Sequence, residues 1–260
     1  MRRDPAASER PLRFEDSEDR TPSLRRVNPR VLAVTACLAL APLLASRDYP
    51  SFAQSSPARS APGWSDSFVS RVEALALMQS LSAEVLASTS ATTTLEKWCG
   101  EHRLAENPQI VARRINAVER PPTPEQRQRL QVTHGERVRH RRVELACGNH
   151  VLSIADNWYV PGRLTPAMNR ELDTTDTPFG KVVRPLAPFR RTFAAKILWQ
   201  PLPEGWELVP RPAGSAATGR LEMPDALFEH RAVLYTSRNR PFAEVDEIYQ
   251  RGILAIPQPR

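Results

Sequence analysis

Between Asp66 and Ala87, apolar residues recur at three- and four-residue steps. Phe68, Val72, Leu75, Met78, Leu81 and Val85 share one face, which predicts an amphipathic helix with that face in the core. Thr93-Thr94-Leu95-Glu96 has the form of a capping box and predicts a short helix running through Trp98 and Cys99. From Gln109 the pattern turns to strands. Gln109–Ile115 is one candidate, and the stretch from Pro121 to Val132 predicts a proline-started turn and a short helix. Val138–Leu145 and Val151–Val160 predict a hairpin about Cys147-Gly148-Asn149. A Thr-Pro start predicts a helix over Thr165–Leu172. Residues 189–199 read as a strand, and His230–Thr236 and Phe242–Tyr249 form a closing pair about Ser237–Arg240. Leu202–Pro224 is rich in proline and glycine and reads as a surface excursion.

Short helices early and strands with tight turns later predict an α+β fold, a mostly antiparallel sheet with helices packed on one side. No repeat and no glycine-rich phosphate loop interrupts it.

The N-terminal part reads differently. Residues 1–30 are polar, with mixed charge, and bury nothing. Val31–Ala45 is uncharged, of signal-peptide length, flanked by Arg25, Arg26 and Arg30, and followed by a small-x-small step at Ser51-Phe52-Ala53. The expectation is residues 1–53 as a disordered start plus an export or anchor segment, 54–63 as a linker and 64–260 as the folded domain. That makes the protein exported, periplasmic or N-terminally anchored, with the membrane touched only through this segment. A mis-assigned start, with a cytoplasmic protein, is the alternative.

Composition adds two constraints. The chain carries 36 Lys and Arg against 29 Asp and Glu, a net charge of +7, yet Lys97, Lys181 and Lys196 are its only lysines. An arginine excess without a helix-turn-helix, zinc-finger or RNA-binding motif is no footprint for nucleic acid, and none is expected as a partner. Cys37, Cys99 and Cys147 lack metal-ligand spacing. With Cys37 in the leader, Cys99 and Cys147 are left to pair in an oxidising compartment or to pack as buried thiols, the reading favoured here.

Familiar catalytic sets are missing: no GxSxG, no HExxH, and the histidines are scattered. Two strand features stand out. Arg142 sits in an alternating strand, either solvated or forked toward a ligand carboxylate. Glu244, Asp246 and Glu247 crowd the last strand, where acidic residues are depleted.

Four ordered pieces carry a resemblance. They are Arg142-Val-Glu-Leu-Ala-Cys147, Leu152–Pro161 with its Val-Pro end, Thr177-Pro178-Phe179-Gly180, and Arg231-Ala-Val-Leu followed by Pro241 and Glu247-Ile-Tyr249. Together, across roughly residues 90–254, they resemble the chorismate pyruvate-lyase family and its fold relatives, the ligand-sensing (UTRA-like) domains of some transcription regulators. The resemblance implies a chorismate lyase-like fold with a buried pocket. It also implies elimination of pyruvate from chorismate to give 4-hydroxybenzoate, a quinone precursor, with no cofactor and no metal. Carried over, Arg142 grips a carboxylate, Glu247 takes the ring hydroxyl and the Phe179 backbone assists. Asn157 stands where the family has a second arginine. Asp246 is the fallback for Glu247, because the turn before Pro241 is one residue longer. A non-catalytic protein of the same fold, binding a small aromatic or carboxylate ligand in the cell envelope, is the alternative.

Overall fold

The computed structural model describes residues 60–116, 118–210 and 219–256. They belong to one compact unit, Ala53–Arg260. The export segment, Cys37 and the polar start all lie outside the described residues. Among the described residues no helix is long and apolar enough to cross a membrane.

Six strands form the main sheet: β2 (Ile110–Arg114), β3 (Arg139–Cys147), β4 (His150–Tyr159), β5 (Phe189–Ile197), β7 (Ala226–Tyr235) and β8 (Pro241–Gln250). Their order is β2-β3-β4-β8-β7-β5, and every neighbouring pair is antiparallel. The two predicted hairpins, β3–β4 and β7–β8, meet along the β4–β8 ladder. A small second sheet pairs β1 (Ser60–Ser65) with β6 (Arg220–Glu222).

That second sheet corrects two expectations. The stretch read as a linker enters a strand at Ser60, and the 202–224 excursion is only partly superficial. Leu202 is buried, and so are Leu221 and Met223, which β6 brings back against the core.

Helix α1 (Phe68–Ala87) starts at Ser67, whose hydroxyl accepts from the Ser70 amide. It buries Ala74, Met78, Leu81 and Val85, leaving the N-terminal end of the predicted stripe half-buried. Helix α2 (Ala91–Glu101) begins earlier than predicted, with Ser90 rather than Thr93 as its cap. Glu96 does not close a capping box. It accepts from the Ile110 amide at 3.0 Å and pairs with Lys181, fastening α2 to the start of β2.

Thr123 caps α3 (Pro124–Arg129) in a capping box with Gln126, and Thr165 caps α4 (Pro166–Thr174). The Thr-Pro-Phe-Gly turn forms the single turn of α5 (Phe179–Val182).

Two apolar clusters hold α1, α2, α4 and α5 on one face of the sheet. In the first, Met78, Leu81, Leu95 and Trp98 pack on Val143, Leu145, Phe228 and Tyr249. In the second, Met168, Leu172, Phe179 and Val182 pack on Tyr159, Leu234 and Val245. The opposite face is covered in part by α3, where Arg129 makes a two-pronged ion pair with Glu244 at 2.7 and 2.8 Å. Arg163, its side chain 3% exposed, ties that segment down. It donates to the carbonyls of Leu130, Gln131 and Pro241 and pairs with Glu136, whose carboxyl it holds down at about 2.

Cys99 at the end of α2 and Cys147 at the end of β3 form a disulfide, with Cα atoms 6.4 Å apart. The preference for two free buried thiols is thereby corrected: the β2–β3 ladder brings Cys147 beneath α2. Closing a loop of this sequence separation restricts the unfolded chain by about 4 kcal/mol in the chain-entropy picture. Dithiothreitol is expected to lower the urea midpoint accordingly, and a Cys99→Ala/Cys147→Ala variant to be low-melting and indifferent to the reductant.

Candidate functional site

Strand pleating sends adjacent residues to opposite faces, and β3, β4 and β8 each carry an adjacent polar pair. Cross-strand partners are Arg141 with Asn157 and Ala155 with Glu247, while Asp156 lies between Arg142 and Asp246. Arg141, Asn157 and Glu247 therefore face the helices. Arg142, Asp156 and Asp246 face away.

A pocket lies on the helix-covered face, at the seam between the two apolar clusters. Val143, Leu145 and Ala155 come from one cluster; Phe179, Val183, Leu234 and Val245 come from the other. Polar groups reach it from the sheet (Asn157, Arg190 and Glu247) and from the start of α2 (Thr89, Ser90 and Thr92). The cavity measures about 40 Å³, room for a few waters. Gly180 brings α5 directly onto α2 here, because a Cβ at that position would meet Thr92 Oγ1 at 2.9 Å and Ser90 Oγ at 3.3 Å.

Arg190 dominates the electrostatics. Its Nη2 donates to Glu247 Oε2 at 2.9 Å, and the two side chains are 3% and 9% exposed. The Tyr249 hydroxyl donates to the same carboxylate oxygen at 3.2 Å. Desolvation works against the Arg190 charge, but Glu247 and Tyr249 outweigh it and raise its pKa. Burial, reinforced by Glu247, pushes the Tyr249 hydroxyl well above its usual range. The Arg190 Nε is buried with no acceptor among the described residues.

Glu247, Asn157 and Phe179, chosen from the sequence, are thus neighbours in one pocket. Asn157 donates to the Arg141 carbonyl at 3.4 Å. Arg142 is not among them. On the other face, its Nη1 donates to Asp156 Oδ2 at 2.8 Å, and Asp156 is also held by His140 Nε2 at 2.7 Å. The Arg120 amide donates to His140 Nδ1, so the proton facing Asp156 sits on Nε2. Asp246, the fallback acid, also faces outward, where burial and the nearby Glu229 raise its pKa.

Arg190 and Ser90 were missed. Arg190 stands beside Arg191 in the sequence, and only the pairing of Arg190 with Leu234 tells which of them points inward. Among the described residues no cluster of His, Cys, Asp or Glu could hold a metal ion.

His230, paired across the sheet with Glu247, is 1% exposed; its Nε2 lies 2.9 Å from Ser82 Oγ and its Nδ1 has no partner among the described residues. Burial, opposed by Glu247, lowers its pKa to about 4 from 6.5.

Two expectations follow. The unfolded chain takes up a proton near the ordinary histidine value while the folded chain resists until about 4. Stability is therefore expected to fall with pH across that window, by about 3 kcal/mol, and to level off below it; His230→Gln should flatten this limb in urea titrations at stepped pH. Arg190→Met strands a buried carboxylate and is expected to cost roughly 3–5 kcal/mol, whereas Arg190→Met/Glu247→Leu should recover most of it; thermal melts of the two variants make the comparison.

No family model matches the chain. Solved structures similar to it include the effector domain of PhnF from Mycobacterium smegmatis, 15% identical with a TM-score of 0.38, covering 62% of this chain and 88% of that one. Another is the ligand-binding domain of a putative GntR-family transcriptional regulator from Bordetella bronchiseptica, 18% identical with a TM-score of 0.36, covering 54% and 82%. In sequence the chain is 45% identical over 197 residues to the "Uncharacterized protein y4mC" of Sinorhizobium fredii (strain NBRC 101917 / NGR234), covering 75% of this chain and 83% of that protein. With that identity and coverage, the chain belongs to the family of the y4mC protein.

Proposed function

We propose that this protein is a small-molecule-binding protein whose seam pocket takes a small aromatic ligand bearing a carboxylate or similar oxyanion. The observation that carries the reading is Arg190, a guanidinium in the pocket wall with a buried Nε left without an acceptor. Buried donors are rarely left unpaired in folded proteins, and an incoming ligand oxygen would satisfy this one. Glu247 and Asn157 supply further polar contacts, and Val143, Leu145, Phe179, Val183 and Leu234 offer apolar walls for a ring. At about 40 Å³ the cavity admits a ring only as α2 and α5 part at the Thr92–Gly180 contact. We read the protein as acting outside the cytoplasm. The Cys99–Cys147 bond supports this, because disulfides persist in oxidising compartments.

A second reading, chorismate lyase-like catalysis, is favoured by Asn157, Phe179 and Glu247 sharing the pocket. In that reaction the bond from the ring carbon to the ether oxygen breaks, and the hydroxyl-bearing ring carbon loses its proton. The departing enolpyruvate takes up a proton at its methylene to become pyruvate, and aromatisation to 4-hydroxybenzoate drives the elimination. The protein then mainly holds a reactive conformer. The carboxylate grip expected of Arg142 would fall to Arg190.

Melting the protein with 4-hydroxybenzoate and related aromatic carboxylates is expected to show saturable stabilisation. Glu247→Gln should weaken it at least tenfold, about 1.4 kcal/mol. A flat response across such ligands rejects the binding reading. Pyruvate release from chorismate that depends on Glu247 would select the lyase; binding without release would select the non-catalytic protein. Fusing residues 1–60 to a phosphatase active only outside the cytoplasm checks the export reading, and an inactive fusion rejects it.

A further inference from the structure

A second cavity, of about 190 Å³, opens where the chain leaves β2 and runs past the free edge of β3. Its lining shares no residue with the seam pocket. Arg114 from β2 and Arg139, Arg141 and Arg142 from β3 line it, with Glu119 and Asp173 as the only carboxylates among its lining residues. With Arg142 matched by Asp156 outside the lining, Arg114, Arg139 and Arg141 against Glu119 and Asp173 leave an excess of one positive charge around one small space.

The arginines differ in what they already hold. Arg139 is paired with both oxygens of Asp173, at 2.8 and 2.9 Å. Arg114 donates to the carbonyls of Leu172 and Asp173, and Arg142 belongs to Asp156. Arg141 has no carboxylate partner among the described residues. The residue is 6% exposed, its Nη2 makes one long bond of 3.4 Å to the Thr177 carbonyl, and its Nε and Nη1 meet no acceptor. Burial first, and then the nearby Arg114, hold its pKa below the usual arginine value. A buried cation with open donors, among other cations and lining a cavity, lacks an anion.

Arg114 pairs across the ladder with Val143, which puts it on the same face as Arg139 and Arg141. Three guanidiniums thus stand on one side of the sheet edge. A carboxylate offers two oxygens in one plane. A phosphate monoester offers three acceptor oxygens and carries close to two negative charges at neutral pH, which suits three guanidiniums on one side and the open donors of Arg141.

We infer that this cavity binds the phosphate group of a small molecule, with Arg141 as its buried anchor and Arg114 and Arg139 beside it. Calorimetric titration with inorganic phosphate, at an ionic strength fixed with chloride, is expected to show saturable binding. Arg141→Met should weaken it at least tenfold, yet melt no lower than the parent without phosphate, because the unpaired buried charge is gone. Arg139→Gln, at the more exposed rim, should weaken binding with little effect on folding. Arg191→Gln, the same loss of charge on β5, should leave it unchanged. Absence of saturable binding overturns the inference, as does unchanged affinity in either cavity variant. An Arg141→Met protein that melts far below the parent would mark Arg141 as structural and likewise overturn it. Binding of succinate in place of phosphate would overturn the ligand class.

Discussion

The pleat of β3, β4 and β8 governs how this molecule distributes its charge. Because neighbouring side chains leave a strand on opposite sides, the pairs Arg141-Arg142, Asp156-Asn157 and Asp246-Glu247 are each divided between the helix-covered face and its reverse. Were the register of one strand to slip by a residue, every member would exchange sides. The apolar residues on the same strands oppose such a slip. Val143, Leu145, Ala155 and Val245 are buried beneath the helices, so the hydrophobic effect also fixes the polar groups.

The two faces use charge differently. On the reverse, Asp156 is surrounded by Arg142, His140 and Arg120, and Glu244 is clasped by Arg129. These sets fasten the stretch from Arg120 to Arg129 to the sheet. Beneath the helices, Arg190 and Arg141 keep donors open, His230 keeps a bare nitrogen, and Ser153 an unpartnered hydroxyl. Asp246 Oδ1 is also open on the reverse face; of the open groups beneath the helices, Arg190 and Arg141 are the two that line cavities. The cost of leaving such groups dry gives a physical reason to look there for ligands.

Much of the architecture was legible in the residue pattern. Alternation located the two hairpins, spacing located α1, and the Thr-Pro step located α4, because each of these is a local property. The pocket was legible in part. Asn157 and Glu247 converge because the β4–β8 register puts both on the helix-covered face, and Phe179 joins them because α5 packs over that face. Arg142 was read onto the wrong side for a simple reason. It lies five residues before Cys147, an odd number of steps, and Cys147 points into the core with Leu145 and Val143, so the residue that points with them is Arg141. Arg190 was out of reach, since its side of the sheet is set by a ladder to β7, distant in sequence. The same holds for β1 and β6, whose pairing joins the start of the described chain to the stretch just before β7.

The disulfide gives α2 a mechanical character. Its far end is pinned twice, by Cys99 to Cys147 and by the Trp98 indole, which donates to the Ile253 carbonyl at 3.0 Å. The near end, at Ser90 and Thr92, rests on Gly180 and is tied covalently only through the short link to α1. A rod about 16 Å long, clamped at one end, is a lever. Parting of α2 from α5, as the proposed ligand requires, would then tilt the near end about the clamp, and breaking the clamp would cost that tilt its pivot.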